Sequence, residues 1–116
     1  MKKRIGLFGG TFDPIHKGHV ALAERFLEHM LLDEVWFLVT PQNPWKKDTN
    51  LTDDAFRLSM VKESLKNHTR LIASDYEFNL PKPSYTYQTL RRLRAEYPDT
   101  EFIILIGADN WVKFDH

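Results

Sequence analysis

Cysteine is absent from the 116 residues of this chain. Disulfide bonds and cysteine-ligated zinc are therefore excluded, and the absence fits a reducing compartment. Long hydrophobic runs are absent too, because nowhere do the roughly 18 consecutive apolar residues of a membrane span occur. The apolar run that follows the basic N-terminus, Ile5–Phe8, is too short for a signal peptide. We therefore predict a cytoplasmic protein with no membrane partner.

An excess of charge of either sign is also lacking, since 16 basic residues balance 16 acidic ones and the formal net charge is zero. A long-range basic field for a nucleic acid polymer is therefore not expected. Hydrophobic residues make up 42% of the chain, which is enough for a folded core. The length and composition together predict one domain over residues 1–116.

Apolar strands alternate with amphipathic helices along the chain. Strands are predicted at 4–8, 34–40, 70–74 and 101–106, helices at 17–30, 53–66 and 84–97, and loops at 41–52 and 75–83. In the second helix, Phe56, Met60, Val61 and Leu65 are predicted to face the core. The order β-α-β-α-β-α-β predicts a Rossmann-like, doubly wound α/β fold with a parallel sheet. Ligands of such folds bind at the carboxyl ends of the strands, where the strand order reverses.

The turn after the first strand is the most unusual stretch of the sequence. Gly9 and Gly10 close the strand, and His16 and His19 follow near the start of a helix, three residues apart and so on one face. Unpaired N–H groups at a helix start favour an anion, and two imidazoles suggest a polyphosphate. The three-glycine dinucleotide fingerprint and the Walker lysine are both absent.

A pair of histidines at this spacing is also half of a metal site. No third ligand is evident, because His29 lies at the far end of the same helix and His68 follows another helix. We therefore predict no metal bound by protein side chains.

The segment Thr11–His19 reads T-F-D-P-I-H-K-G-H. It resembles the T/S-F-D/N-P-x-H-x-G-H signature of the nucleotidyltransferase superfamily. Gly6–Thr11, Pro83–Leu90 and Ile104–Asp109 further resemble segments of the bacterial nicotinate mononucleotide adenylyltransferases. The resemblance covers essentially the whole chain. It implies transfer of the adenylyl group from ATP to nicotinate mononucleotide, giving nicotinate adenine dinucleotide and pyrophosphate, with Mg²⁺ carried mostly by the phosphates.

The resemblance also implies roles for individual residues. The catalytic candidates are His16, His19 and Lys47. The ATP-binding candidates are Gly9, Gly10, Thr11, Phe12, His16, His19, Lys47, Gly107 and Asp109. The candidates for binding the acceptor nucleotide are Asp13, Arg57, Tyr85, Thr86 and Trp111.

Simpler interpretations of several candidates stay open. They are a solvated loop for Lys47, a solvent-facing salt bridge for Arg57, helix caps for Thr86 and Asp109, and plain packing for Trp111. Trp45 and Lys46 also stand where the family usually has proline and histidine, and Lys47 is the better match for the family lysine.

The Ile/Ser-Ser/Ala-Thr-x-x-Arg motif, which the family carries late on a C-terminal helix that holds ATP, is not found in this sequence. We expect a fragment that lacks the last helix and strand, and whose apolar surface favours a homo-oligomer. Two alternatives remain. One is another enzyme of the superfamily, such as a phosphopantetheine adenylyltransferase or a cytidylyltransferase, and the other is a nucleotide-binding module without turnover.

Overall fold

The computed structural model describes residues 2–10, 12, 15, 17–41, 53–79 and 86–105. In chain order the elements are β1 (Lys3–Gly10), α1 (Lys17–His29), β2 (Glu34–Val39), α2 (Asp54–Leu65), β3 (Leu71–Ser74), a 3-10 turn (Tyr76–Asn79), α3 (Thr86–Glu96) and β4 (Thr100–Leu105). The predicted order of strands and helices is confirmed. The 3-10 turn falls in a segment predicted to be a loop. Within the described ranges, every helix is too short or too polar to cross a bilayer.

The four strands form one parallel sheet in the order β3-β2-β1-β4. The central strand β1 pairs with β2 on one side, as far as Gly10 opposite Val39, and with β4 on the other, as far as Phe8 opposite Leu105. The chain adds β2 and β3 to one side of β1 and then returns to the other side for β4. The strand order therefore reverses between β1 and β4, which is the place where the sequence predicts a ligand site.

Helices cover both faces of the sheet, as expected for parallel strands. The core on one face joins α1 and α2 to the sheet, and it includes Ala23, Leu27, Val61, Leu65, Phe8, Val35, Phe37 and Leu105. The core on the other face lies under α3, and it includes Leu93, Ile5, Leu7, Leu38 and Phe102. Successive residues of β1 and β2 alternate between the two cores, so these two central strands are apolar on both sides.

The inward face predicted for α2 is confirmed at Val61 and Leu65 and wrong at Phe56 and Met60. Phe56 is 56% exposed and Met60 is 39% exposed, whereas the buried face of this helix carries Arg57, Val61 and Leu65. These three residues recur every fourth position, as one helix face requires. The apolar pattern omits the charged Arg57 and includes Phe56 and Met60, which lie one residue before Arg57 and Val61.

Candidate active site

Four polar or charged side chains are buried among the described residues, and all four lie on segments that follow the carboxyl ends of strands. His19 and Arg57 lie in the first turns of α1 and α2, Glu77 lies in the 3-10 turn after β3, and Thr89 lies in the first turn of α3. Burying a polar group is unfavourable unless it is hydrogen-bonded. We call the side of the sheet where the strands end its carboxyl edge. The concentration of buried polar groups there indicates a site.

Gly9 and Gly10 are the last two residues of β1, opposite Leu38 and Val39 of β2, and not a turn beyond the strand as predicted. Neither glycine has a positive φ, so the backbone conformation does not require glycine here. A β-carbon at Gly9 would meet no other atom within 4 Å in the described part of the chain. Gly9 thus leaves room for a ligand to lie against the backbone at the end of the strand.

The His19 side chain is only 4% exposed. Its imidazole packs against Phe12, with ring centroids 5.2 Å apart and ring planes at 80°, and against Phe8, with centroids 6.3 Å apart. Edge-to-face contacts of this kind fix the plane of a ring. The fold therefore orients the imidazole at the start of α1 before any ligand arrives.

The prediction of ATP binding for Phe12 requires a correction, because the ring of Phe12 lies in the core. It contacts Phe8 and Phe37 with centroid distances of 5.6 Å and 5.4 Å. Its backbone has a φ of 49°, which is unusual for a residue other than glycine and persists only where packing imposes it. The side chain of Phe12 thus packs in the core against His19, and only its backbone remains a candidate for contact with a nucleotide.

Arg57 is 1% exposed, so its interpretation as a solvent-facing salt bridge is wrong. Its guanidinium pairs with Asp54 and donates a hydrogen bond of 2.8 Å from Nη1 to the carbonyl oxygen of Thr40. Thr40 directly follows β2, a short distance before the segment that contains Lys47. These contacts favour a role in holding the chain where that segment leaves the sheet, and not a direct contact with the acceptor.

Glu77 is a buried carboxylate that sequence reasoning missed. Its Oε2 accepts a hydrogen bond of 2.7 Å from the Thr89 hydroxyl, and its Oε1 accepts one of 3.4 Å from the Thr40 hydroxyl. Burial raises the pKa of Glu77, and the two threonine hydrogen bonds offset only part of that effect. The sequence does carry one signal of a buried polar partner. Thr89 is a polar residue four positions before Leu93, on the inward face of α3.

Thr86 is the first residue of α3, and its backbone is described. The other predicted site residues lie outside the described residues, and they are Thr11, Asp13, His16, Lys47, Tyr85, Gly107, Asp109 and Trp111. Their roles stay predictions. In the part of the chain that is described, no three histidine, aspartate or glutamate side chains form a group that could hold a metal ion.

The family described as cytidylyltransferase-like matches residues 7–116 of this chain. A probable nicotinate-nucleotide adenylyltransferase from Bacteroides fragilis is 51% identical over 114 residues, which is 98% of this chain and 57% of that protein. The corresponding protein from Bacteroides thetaiotaomicron is 47% identical over 114 residues, which is 98% of this chain and 56% of that protein. The chain thus spans a little over half the length of these curated relatives.

Solved structures show the same fold. A putative nicotinate-nucleotide adenylyltransferase from Vibrio parahaemolyticus is 27% identical, with a TM-score of 0.74, and the match covers 97% of this chain and 63% of that one. The Plasmodium falciparum nicotinic acid mononucleotide adenylyltransferase complexed with NaAD is 21% identical, with a TM-score of 0.71, over 88% of this chain and 50% of that one. Since the family match begins at residue 7 and continues to the last residue, this chain belongs to the cytidylyltransferase-like family.

Proposed function

We propose that this protein transfers the adenylyl group of ATP to nicotinate mononucleotide, giving nicotinate adenine dinucleotide and pyrophosphate in the biosynthesis of NAD. The observation that carries the proposal is the buried, ring-packed His19 at a helix start, on the edge of the sheet where the strand order reverses. Relatives about half identical to this chain are named for this activity, and the Plasmodium neighbour is complexed with NaAD in one structure and with APC in another. Because the reaction consumes ATP, we propose the cytoplasm as its compartment.

The reaction is an in-line displacement at phosphorus. A phosphate oxygen of the acceptor attacks the α-phosphorus of ATP, the bond from that phosphorus to the bridging oxygen breaks, and pyrophosphate leaves with the bridging oxygen. The attacking phosphate is already ionised near neutral pH, so no strong general base is required. Catalysis then depends on positioning and on hydrogen-bond donors directed at the developing charge.

His19 supplies one such donor, and its contacts with two phenylalanine rings hold it in place before the reaction. A donor that is already oriented does not reorganise during the reaction, which is what makes its contribution large. His16 and Lys47 supply further donors in the same proposal. The backbone at Gly9 and Gly10 lets the nucleotide approach the end of β1.

The other candidates divide between the two substrates. Thr11, Gly107 and Asp109 bind ATP, with the Asp109 carboxylate accepting hydrogen bonds from ribose hydroxyls. The N-terminus of α3, with Tyr85 and Thr86, binds the nicotinate carboxylate, because unpaired N–H groups at a helix start favour an anion. Asp13 and Trp111 contribute to the acceptor side.

Nucleotidyltransferases of this kind generally use a divalent metal with ATP. We propose Mg²⁺, which retains water and is bound largely by phosphate oxygens. A metal that is carried mainly by the phosphates of the nucleotide needs few ligands from the protein. The ion would neutralise charge on the phosphates, while the protein orients them.

Steady-state pyrophosphate release tests the proposal. The full-length protein with ATP and Mg²⁺ is given nicotinate mononucleotide, nicotinamide mononucleotide, phosphopantetheine or phosphocholine in turn. Nicotinate mononucleotide is expected to give the highest kcat/KM. Turnover of phosphopantetheine or phosphocholine with nicotinate mononucleotide ignored would identify another enzyme of the superfamily. Calorimetric binding of ATP without turnover of any acceptor would identify a nucleotide-binding module.

A further inference from the structure

Glu77 lies where three segments of the carboxyl edge meet. One carboxylate oxygen accepts a hydrogen bond from Thr89, in the first turn of α3, and the other accepts one from Thr40, directly after β2. Glu77 itself belongs to the 3-10 turn that follows β3. One buried side chain therefore joins the start of α3 to the ends of two strands.

The two hydrogen bonds differ in strength. The Thr89 hydroxyl lies 2.7 Å from the carboxylate, which is an ordinary length for a strong O–H···O bond. The Thr40 hydroxyl lies 3.4 Å away, where the attraction is weak. Thr89 is also fully buried, so water cannot replace its partner. The principal effect of Glu77 is therefore on α3.

The fold does not need a buried carboxylate to attach α3 to the 3-10 turn. The same two elements are joined near the other end of α3 by the Tyr76 hydroxyl, which donates a hydrogen bond of 2.8 Å to Glu96 Oε1 at the surface. An exposed bond of this kind avoids the desolvation of a charged group. The buried arrangement is found at the end of α3 that begins with Thr86.

We propose that Glu77 is a positioning residue for the acceptor nucleotide. Through Thr89 it fixes the first turn of α3, whose N-terminus, with Tyr85 and Thr86, receives the nicotinate carboxylate. Glu77 touches neither substrate and acts only through the helix that it holds. This inference rests on the function proposed above, because it assigns a role within the same site.

Substitutions at Thr89 test the positioning role in the full-length protein. Thr89→Val keeps the branched shape and removes the donor, whereas Thr89→Ser keeps the donor. We expect Thr89→Val to raise the KM for nicotinate mononucleotide about fivefold, the effect of losing one hydrogen bond. The KM for ATP and kcat change less than that, and Thr89→Ser behaves like the wild type. Glu77→Gln weakens the hydrogen bond to Thr89, so we expect its KM for nicotinate mononucleotide to lie between those of Thr89→Val and Thr89→Ser.

Tyr76→Phe is the matched control, because it removes a hydrogen bond between the same two elements away from the site. We expect it to leave the KM for nicotinate mononucleotide unchanged. If Tyr76→Phe and Thr89→Val raise that KM equally, or if Thr89→Val lowers only the amount of folded protein, the role of Glu77 is structural and the proposal is overturned.

Amide hydrogen exchange separates this inference from the proposed function, because it needs no substrate. In Thr89→Val, we expect amides 90–93 of α3, which are hydrogen-bonded within the helix, to exchange about fivefold faster than in the wild type, the free-energy change of roughly one hydrogen bond. Tyr76→Phe should leave these amides unchanged. Faster exchange in a protein that ignores nicotinate mononucleotide would support the positioning of α3 and defeat the proposed function alone. Unchanged exchange in Thr89→Val would overturn the positioning of α3 even in an active enzyme.

Discussion

The side of the sheet where the strands begin, its amino edge, differs from the carboxyl edge in the burial of its polar groups. At the amino edge, where the strands begin, charged side chains pair near the surface. Lys3 Nζ lies 2.9 Å from Glu34, and Arg4 Nη1 lies 3.2 Å from Glu101. At the carboxyl edge, the described part of the chain instead buries an imidazole, a guanidinium, a carboxylate and a threonine hydroxyl. Surface pairs of the first kind contribute little to stability, whereas buried polar groups need a structural or functional reason.

Two glutamates make the contrast concrete. Burial tends to raise the pKa of both, but at Glu34 hydrogen bonds from Trp36 and Lys3 outweigh burial, and the pKa is lowered. At Glu77 burial outweighs the hydrogen bonds from Thr89 and Thr40, and the pKa is raised. The surroundings of Glu34 at the amino edge therefore stabilise its charged form, while burial at the carboxyl edge disfavours the charged form of Glu77. Folds tolerate such costs at functional sites.

The largest expected effect follows from His19. His19→Asn and His19→Gln place an amide donor near the positions of Nδ1 and Nε2, respectively. Because one donor to the developing charge is worth about 10²–10³-fold in rate, we expect the worse of the two variants to lose that much kcat. His29→Asn, in the exposed last turn of the same helix, is the control and should keep its kcat. A normal kcat in both His19 variants would contradict an active site at this edge.

Arg57→Met compares the stability of the two edges. The substitution leaves Asp54 and the Thr40 carbonyl without their buried donor, so we expect the free energy of unfolding to fall by about 3 kcal/mol. Lys3→Met breaks a surface pair and should lower it by about 0–1 kcal/mol. Urea denaturation measures both. Equal losses would show that the two edges do not differ in this respect.

The two glutamates predict opposite dependences of stability on pH. Because folding raises the pKa of Glu77, its contribution is complete below the unfolded-state pKa and is lost as the pH rises through the folded-state value. Folding lowers the pKa of Glu34, so its contribution is present above the unfolded-state pKa and is lost as the pH falls through the folded-state value.

Thermal unfolding over a pH series checks these signs. Relative to the wild type, Glu77→Gln should gain stability as the pH rises above about 4.5, and Glu34→Gln should lose stability as the pH rises towards about 4.5 from below. Differences of the same sign in the two variants would contradict the contrast between the edges.

The smallest expected effect is that of Gly9→Ala. Its methyl group would enter open space, so we expect unchanged stability and a KM for ATP about fivefold higher, the effect of roughly 1 kcal/mol of steric conflict with the nucleotide. Gly6→Ala is the opposite case, because its β-carbon would lie 2.7 Å from Leu105 Cδ1, and it should lower the thermal unfolding midpoint. An unchanged KM in Gly9→Ala would show that ATP does not lie against Gly9.

Much of the fold follows from the sequence, because periodicity is a local property. Continuous apolar strands and amphipathic helices predict a parallel sheet covered on both faces, and the structure has that arrangement. The burial of Arg57 in α2 does not follow. Arg57 is buried there because it donates to Thr40, 17 residues earlier, and a local pattern contains no information about such a partner.

The sequence likewise predicts some features of the candidate site and not others. The turn sequence predicts the edge of the sheet and the place of His19 at a helix start, but it does not show that the ring of Phe12 faces the core. Glu77 is not foreseen at all, because its partners Thr40 and Thr89 lie 37 and 12 residues away in sequence. Only the folded chain brings these three side chains together.

The most direct test of adenylyl transfer follows the α-phosphorus of ATP. The full-length protein is incubated with Mg²⁺, nicotinate mononucleotide and ATP that carries a radioactive label at the α-phosphorus, and the products are separated by chromatography. The expected result is label in nicotinate adenine dinucleotide, in an amount equal to the unlabelled pyrophosphate released. Label that stays in ATP, or that appears in AMP without any labelled dinucleotide, would contradict the proposed function.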